Sequence, residues 1–246
     1  MNNILLITGA IDIAKNTFHT FLTDTQERLS QYIDSIDFAI ESYHNINHIV
    51  FCENTNYPYD YSYLEEKAKK FNKTLNILSF EGNLDLILQK GKGYGEGEII
   101  EYAFNNDKLL SESNSFYKLT GRLKVKNMNT MTRWIKEDSA FLAKKRGESG
   151  VAITYFYKVK TSFFKEYLLS AYTNVDEKNS IYIEHIYYNI LKNRNISFFR
   201  IIPIIDGISG STGGNYNINE YITNPFNKII RTYIIEKIRF FLKRKI

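Results

Sequence analysis

Three short apolar runs, each closed by small or polar residues and separated by helix-like segments, constrain this chain more than any other feature. Residues 4–7 form the first run and end on Thr8-Gly9-Ala10; residues 48–54 form the second; residues 74–80 form the third and give way to Glu81-Gly82-Asn83. Between the first two, Leu29, Tyr32, Ile33, Ile36, Ile40 and Tyr43 recur at steps of three and four, the period of a helix with one buried face. Arg28, Gln31, Asp34, Asp37 and Glu41 are expected on its outer side. Pro58 lies in the next loop, before a second helix over about 62–71. Strand and helix alternating this way predict an α/β fold, a mainly parallel sheet flanked by helices. Ligands of such sheets bind beyond the carboxyl ends of the strands, so residues 8–12, 53–57 and 81–83 should border one crevice.

Composition removes several other classes. With 43% hydrophobic and 24% charged residues over 246 positions, the chain is ordinary for a globular domain with a sizeable core. Cys52 is the only cysteine, so no internal disulfide framework exists. Charges interrupt every apolar stretch, which argues against a membrane span, and the first residues lack a basic segment before a long apolar core. The expectation is a cytoplasmic protein. Abundant Tyr and Phe, with many Asn and Ile, fit the codon bias of an A/T-rich genome better than a dedicated stacking surface.

The net charge of +5 is unevenly spread. Residues 228–246 hold seven Lys/Arg against Glu236 alone, and residues 118–146 hold nine against Glu137 and Asp138; the remainder is acidic. Two local basic zones suit a small phosphorylated ligand and a surface better than a nucleic-acid duplex. The division expected is a catalytic domain over 1–227 and a basic amphipathic helix over 228–246. In that tail Lys228, Thr232, Glu236, Arg239 and Lys243 share a stripe, beside Ile230, Ile234, Ile238 and Phe241. It reads either as a helix lying on an anionic membrane or as one docked on the core or on a second copy.

Residues 89–127 carry the densest chemical signals. Gly91-Lys92-Gly93-Tyr94-Gly95-Glu96-Gly97 reads as a glycine-rich loop opening a helix over 98–105, with Gly93 and Glu96 as ligand-facing candidates. It matches neither a P-loop nor a dinucleotide fingerprint. Its carboxylates suit sugar or ribose hydroxyls better than phosphate, and a connection without any ligand is the alternative. Residues 116–127 then alternate, with Lys118, Thr120, Arg122, Lys124 and Lys126 on one face. Such a strand is either a solvated edge or the wall of an anion site, where Thr120-Gly121-Arg122 would let a guanidinium fork onto a diphosphate beside Lys118. No Asp-x-Asp pair follows a central strand, which points to metal independence, and no His spacing links to Cys52 as a metal site.

Further on, strands are expected at 151–159 and at 197–205, the latter broken at Pro203, with helices at 130–140, 163–172, 180–192 and from about 225. The 91–97 stretch, Phe-Tyr-Lys-Leu-Thr-Gly-Arg at 116–122 with Asn127, and Tyr-Ile-Glu-His at 182–185 together resemble a group of small bacterial glycosyltransferases of capsule and lipopolysaccharide loci. The resemblance covers about half the chain. It implies a GT-A-like fold, a nucleotide-sugar donor and a glycan or lipid-linked acceptor. On that reading Thr8, Gly9 and Asp12 border the nucleotide and Arg122 with nearby lysines holds the diphosphate. Glu184 is the candidate base, with His185 beside it and Asp176 and Asp206 as substitutes. Glu184 could equally serve only the start of its helix. The competing functions are a sugar nucleotidyltransferase in the same crevice, which needs metal-binding carboxylates, and a nucleic-acid-binding protein built on residues 118–146.

Overall fold

The expected alternation runs through the first third of the chain as β1 (Ile4–Gly9), α1 (Thr25–Ser42), β2 (His48–Glu53), α2 (Ser62–Lys70) and β3 (Thr74–Ser79). A computed structural model describes residues 3–13, 21–135, 138–146, 149–194, 196–199, 201–209 and 213–216. The tail helix expected from 228 lies outside the described residues. β1 and β2 are buried at every position, and each large aliphatic side chain so removed from water contributes about 1.5–3 kcal/mol. α1 starts on Asp24, whose Oδ1 accepts from the Glu27 N–H at 2.7 Å, a cap worth about 1 kcal/mol. Of the predicted inner face, Leu29, Tyr32, Ile36, Ile40 and Tyr43 are buried and Ile33 is partly so, and Arg28, Ser35 and Ala39 are buried with them.

Next come α3 (Leu84–Lys90), α4 (Lys92–Asn106), α5 (Lys108–Ser111), β4 (Ser115–Thr120), β5 (Leu123–Val125), α6 (Met128–Trp134), β6 (Ala140–Phe141), β7 (Ala143–Arg146), β8 (Ser149–Ala152) and β9 (Phe156–Lys160). After a run of short helical turns come α8 (Ile183–Leu191, counting Thr161–Phe163 as α7), β10 (Ser197–Phe198), β11 (Ile205–Ile208) and β12 (Asn215–Tyr216). One seven-stranded sheet has the order β10-β6-β9-β4-β1-β2-β3. β1, β2, β3 and β4 are parallel, and β9 alone runs antiparallel to both neighbours. A small sheet, β12-β11-β5, and a hairpin, β7-β8, complete the pairing. The α1 and α2 side of the large sheet packs one core, and the α4 and α8 side packs a second.

Four expectations are revised. The 91–97 stretch is not a loop but the first two turns of α4. Glycine costs a helix about 1 kcal/mol per residue, and close packing explains it here. A Cβ on Gly97 would stand 2.0 Å from the Cβ of Tyr172, and one on Gly95 3.2 Å from Asn54 and Ile87. The 116–127 segment is two strands in two sheets, because the chain turns at Gly121, where a Cβ would meet the Thr8 carbonyl at 2.5 Å. β4 therefore lies in the middle of the large sheet and is no solvated edge. The 151–159 and 197–205 strands likewise divide, into β8 with β9 and β10 with β11. The helix expected over 130–140 is α6, which ends at Trp134.

Candidate active site

Parallel pairing sends the carboxyl ends of β1, β2, β3 and β4 to one edge of the sheet, and the loops that leave them are tied together. Glu53, fully buried, folds its carboxylate back to accept from Thr55 N–H at 2.7 Å, Thr55 Oγ1 at 2.6 Å, Tyr57 N–H at 3.0 Å and the Ser79 hydroxyl. Thr55 Oγ1 accepts in turn from the N–H groups of Ile11 and Asp12, at 3.3 and 3.2 Å. Gly82 N–H reaches the Asn54 carbonyl at 3.0 Å. The three strand-end loops that the sequence groups together are thus joined by hydrogen bonds.

Beside these loops lies a buried ionic group. Thr8 and Thr120 are register partners on β1 and β4, and Lys118 lies two residues before Thr120 on the same face. Lys118 has no exposed surface, and its ammonium donates to Glu96, to Thr120 Oγ1 at 3.0 Å and to the Thr154 carbonyl at 2.9 Å. Glu96 Oε1 also lies 3.4 Å from the hydroxyls of both Thr8 and Thr120. Thr154 Oγ1 continues the chain by donating to Glu184 Oε1 at 3.1 Å. Five predicted residues, Thr8, Glu96, Lys118, Thr120 and Glu184, are thus brought together, with Thr154 as the link that the sequence did not single out. Lys118 is consumed inside this network and supports the crevice instead of lining it.

The other predicted residues divide. Arg122 stands just past Thr120, 7% exposed, and donates to Gln31 Oε1 at 3.2 Å. Gly9 and Gly121 serve close packing, a Cβ on Gly9 coming 2.7 Å from the Phe51 ring. Asp12 accepts from the Thr25 hydroxyl at 2.9 Å on an exposed loop. Gly93 donates its N–H to Glu177 Oε1 at 2.8 Å, so a carboxylate of the chain already occupies the start of α4. Burial pushes the Glu177 carboxyl up, and burial pushes the neighbouring Lys92 ammonium down against the pull of Glu177, Glu184 and Glu96. Asn127 is not part of this group: both ends of its amide hold backbone, Ile202 O and Ile204 N, each at 2.8 Å. Asp206 lies on β11, 3.8 Å from Lys126, and His185 turns to the Ser180 carbonyl at 3.2 Å. Neither meets the Glu96 group by any contact among the described residues.

Arg28 was expected outside and is the clearest omission. Its guanidinium donates to the carbonyls of Ala10, Ile11 and Leu22, which fixes the loop after β1. Burial, with repulsion from Arg122 a smaller contribution, lowers its proton affinity. Its place four residues before Tyr32, on the apolar stripe, was the available signal. Buried charges are ordinarily paired. Among the described residues neither Arg28 nor Arg122 has an acidic partner, and Arg122 keeps donors that no described group takes. Beside the strand ends, two buried guanidinium groups thus have no acidic partner among the described residues. Among the described residues no group of three or more His, Cys, Asp or Glu is placed to hold a metal ion.

No protein-family model matches the chain, and no curated protein matches it. Among solved structures, it is similar to a nucleoside-diphosphate-sugar pyrophosphorylase from Vibrio cholerae RC9, at 12% identity and a TM-score of 0.43, over 80% of this chain and 90% of that one. Among the described residues no helix is long and apolar enough to cross a membrane.

Proposed function

We propose that the crevice binds a nucleotide-activated sugar and that the protein is a transferase acting on it, in the finer reading a GT-A-like glycosyltransferase of bacterial surface-glycan synthesis. The observation that carries this is the pair of buried guanidinium groups that have no acidic partner among the described residues, one of them, Arg122, donating there to Gln31 Oε1. A diphosphate answers that charge in two-point contact, and fixed cations stabilise the negative charge that develops on it as the sugar leaves. Glu184, held by Thr154 beside the Glu96 network, takes the proton of the acceptor hydroxyl as its oxygen attacks the sugar. The acceptor is a glycan or a lipid-linked saccharide, and the motif resemblance at 91–97, 116–122 and 182–185 supports the same class. Thr8 and Asp12 border the nucleotide. The donor is held without a metal.

A nucleotidyltransferase that makes the activated sugar would use the same crevice, and the products separate the two: glycosyl transfer releases a nucleoside diphosphate, whereas nucleotidyl transfer with pyrophosphate releases a triphosphate. The test is calorimetric titration of UDP, GDP, CMP and dTDP, with Mn²⁺ or with EDTA, followed by product analysis on the sugar of whichever nucleotide binds. One nucleotide is expected to bind in EDTA, and Arg122→Ala to weaken it by about 100-fold, the scale of a lost charge-assisted fork. Binding to none of the four, or equal binding by Arg122→Ala, removes the reading.

A further inference from the structure

We propose that Tyr216, backed by Tyr155, is the platform on which a sugar ring lies beside Glu184; its role as the acceptor's ring rests on the transferase reading above. The small sheet brings Tyr216 there. β5 follows directly on Arg122, β11 pairs with β5 and β12 pairs with β11, so that Leu123, Gly207 and Tyr216 stand in one row. Gly207 keeps the row tight: its φ is 128°, and a Cβ there would stand 2.6 Å from the Arg122 carbonyl. The strands that hold Arg122 and Tyr216 are therefore roughly 10 Å apart, two strand spacings, which leaves room for one sugar ring between them.

The hairpin of β11 and β12 is held at both ends. In its turn, Ser209 donates its N–H to the Gly214 carbonyl at 2.9 Å, and a Cβ on Gly213 would meet the ring of Phe21, on the loop after β1, at 2.5 Å. On β12, the Tyr216 ring meets Tyr155 edge to face, with centroids 5.3 Å apart. Tyr155 follows Thr154, whose hydroxyl holds Glu184 at 3.1 Å, and its own carbonyl accepts from the Thr120 N–H at 2.8 Å. The aromatic pair thus stands between the Glu184 side and the end of β4. Burial raises the Tyr216 hydroxyl against a hydrogen bond with Ser209, and the Glu184 charge adds to the rise, so the phenol stays neutral within the field of that carboxylate.

These neighbours select the ligand. Both rings are only half-buried. An aromatic face accepts the C–H face of a pyranose, while a phenol and a carboxylate at its rim bind hydroxyl groups. Glu184 and Glu96 repel a phosphate here, which belongs on the Arg122 side. A lipid chain in the same place would desolvate Glu184 and the phenol without giving either a partner. A neutral saccharide meets both demands.

Saturation-transfer NMR of the full chain with the methyl glycosides of glucose, galactose, mannose and N-acetylglucosamine tests this without any turnover. At least one should receive saturation, strongest at the C–H groups of one ring face. Tyr216→Phe keeps the ring and should keep that signal. Tyr216→Leu keeps apolar bulk without the ring and should weaken binding about tenfold. Saturation of none of the four glycosides, or equal binding by the two variants, whether both strong or both lost, overturns the proposal. Nucleotide titration of the parent separates this from the transferase reading: glycoside binding at Tyr216 with no nucleotide bound keeps the platform and removes the transferase, and nucleotide binding with no glycoside bound does the reverse.

Discussion

The two ends of the central sheet each bury a lysine, and the partners differ. At the carboxyl ends of the strands, Lys118 meets a carboxylate, a hydroxyl and one carbonyl, and its acid, Glu96, keeps 22% of its side chain exposed to the crevice. At the amino ends, Lys73 donates to three carbonyls of the last turn of α1, at 2.9, 2.6 and 2.9 Å, where the helix end favours a cation. Beside it, His48 pairs with Asp107 at 2.8 Å, and Asn76 and the start of α5 take what remains of that carboxylate. The amino end is closed: its polar groups satisfy one another. The carboxyl end is less closed: Glu96 and Glu184 stay partly exposed, and Arg122 has no acidic partner among the described residues. Burial of charge alone does not mark a site; burial with unspent donors and acceptors does.

If that distinction holds, changes at the open end damage turnover more than folding. Glu184→Gln keeps an oxygen for the Thr154 hydroxyl but cannot take a proton. Turnover with the donor identified by titration should fall by about 10²–10⁴-fold with an unchanged melting midpoint. A variant as active as the parent would leave Glu184 as a helix-start residue only. Lys118→Met is the intermediate case. It leaves Glu96 without a cation beside two threonines, and the exposed part of that carboxylate softens the penalty to about 3 kcal/mol, at the low end for a broken buried pair. Urea unfolding reads this directly, and a loss below about 1 kcal/mol would mean that Glu96 is solvated as well as any surface acid.

How much of this was legible follows from what each signal measures. Periodicity located β1, α1, β2, α2 and β3, because burial on one face leaves a mark at each turn. It could not see the break at Gly121: alternation of period two continues on both sides, although β4 and β5 belong to different sheets. Glycine density at 91–97 suggested a loop by local preference, and contact with Tyr172 and Ile87 overrode that preference. Thr8, Glu96, Lys118, Thr120 and Glu184 were found as chemistry-bearing types near strand and helix ends. Their actual partners were not, since Lys118 and Thr120 look like ligand-facing residues until Glu96 is placed against them. Glu177 had no local mark at all; only the packing of a distant turn on Gly91 and Gly93 reveals it.

The closed end makes the smallest prediction, and its sign is fixed. Burial pushes the Lys73 ammonium down to about 8, below the value near 10.4 of an unfolded lysine. Between those two values the unfolded chain binds a proton that the folded chain lacks, so this group makes stability rise with pH across that window and contributes no slope below it. The buried hydroxyls of Tyr43, Tyr61 and Tyr117 are raised by desolvation and act oppositely, lowering stability as pH climbs beyond about 10. Lys73→Met removes the first effect and leaves the second. Urea midpoints measured at steps from pH 7 to 10 should therefore climb relative to the variant above pH 8. Parallel curves would show that the three carbonyls of α1 hold Lys73 charged throughout.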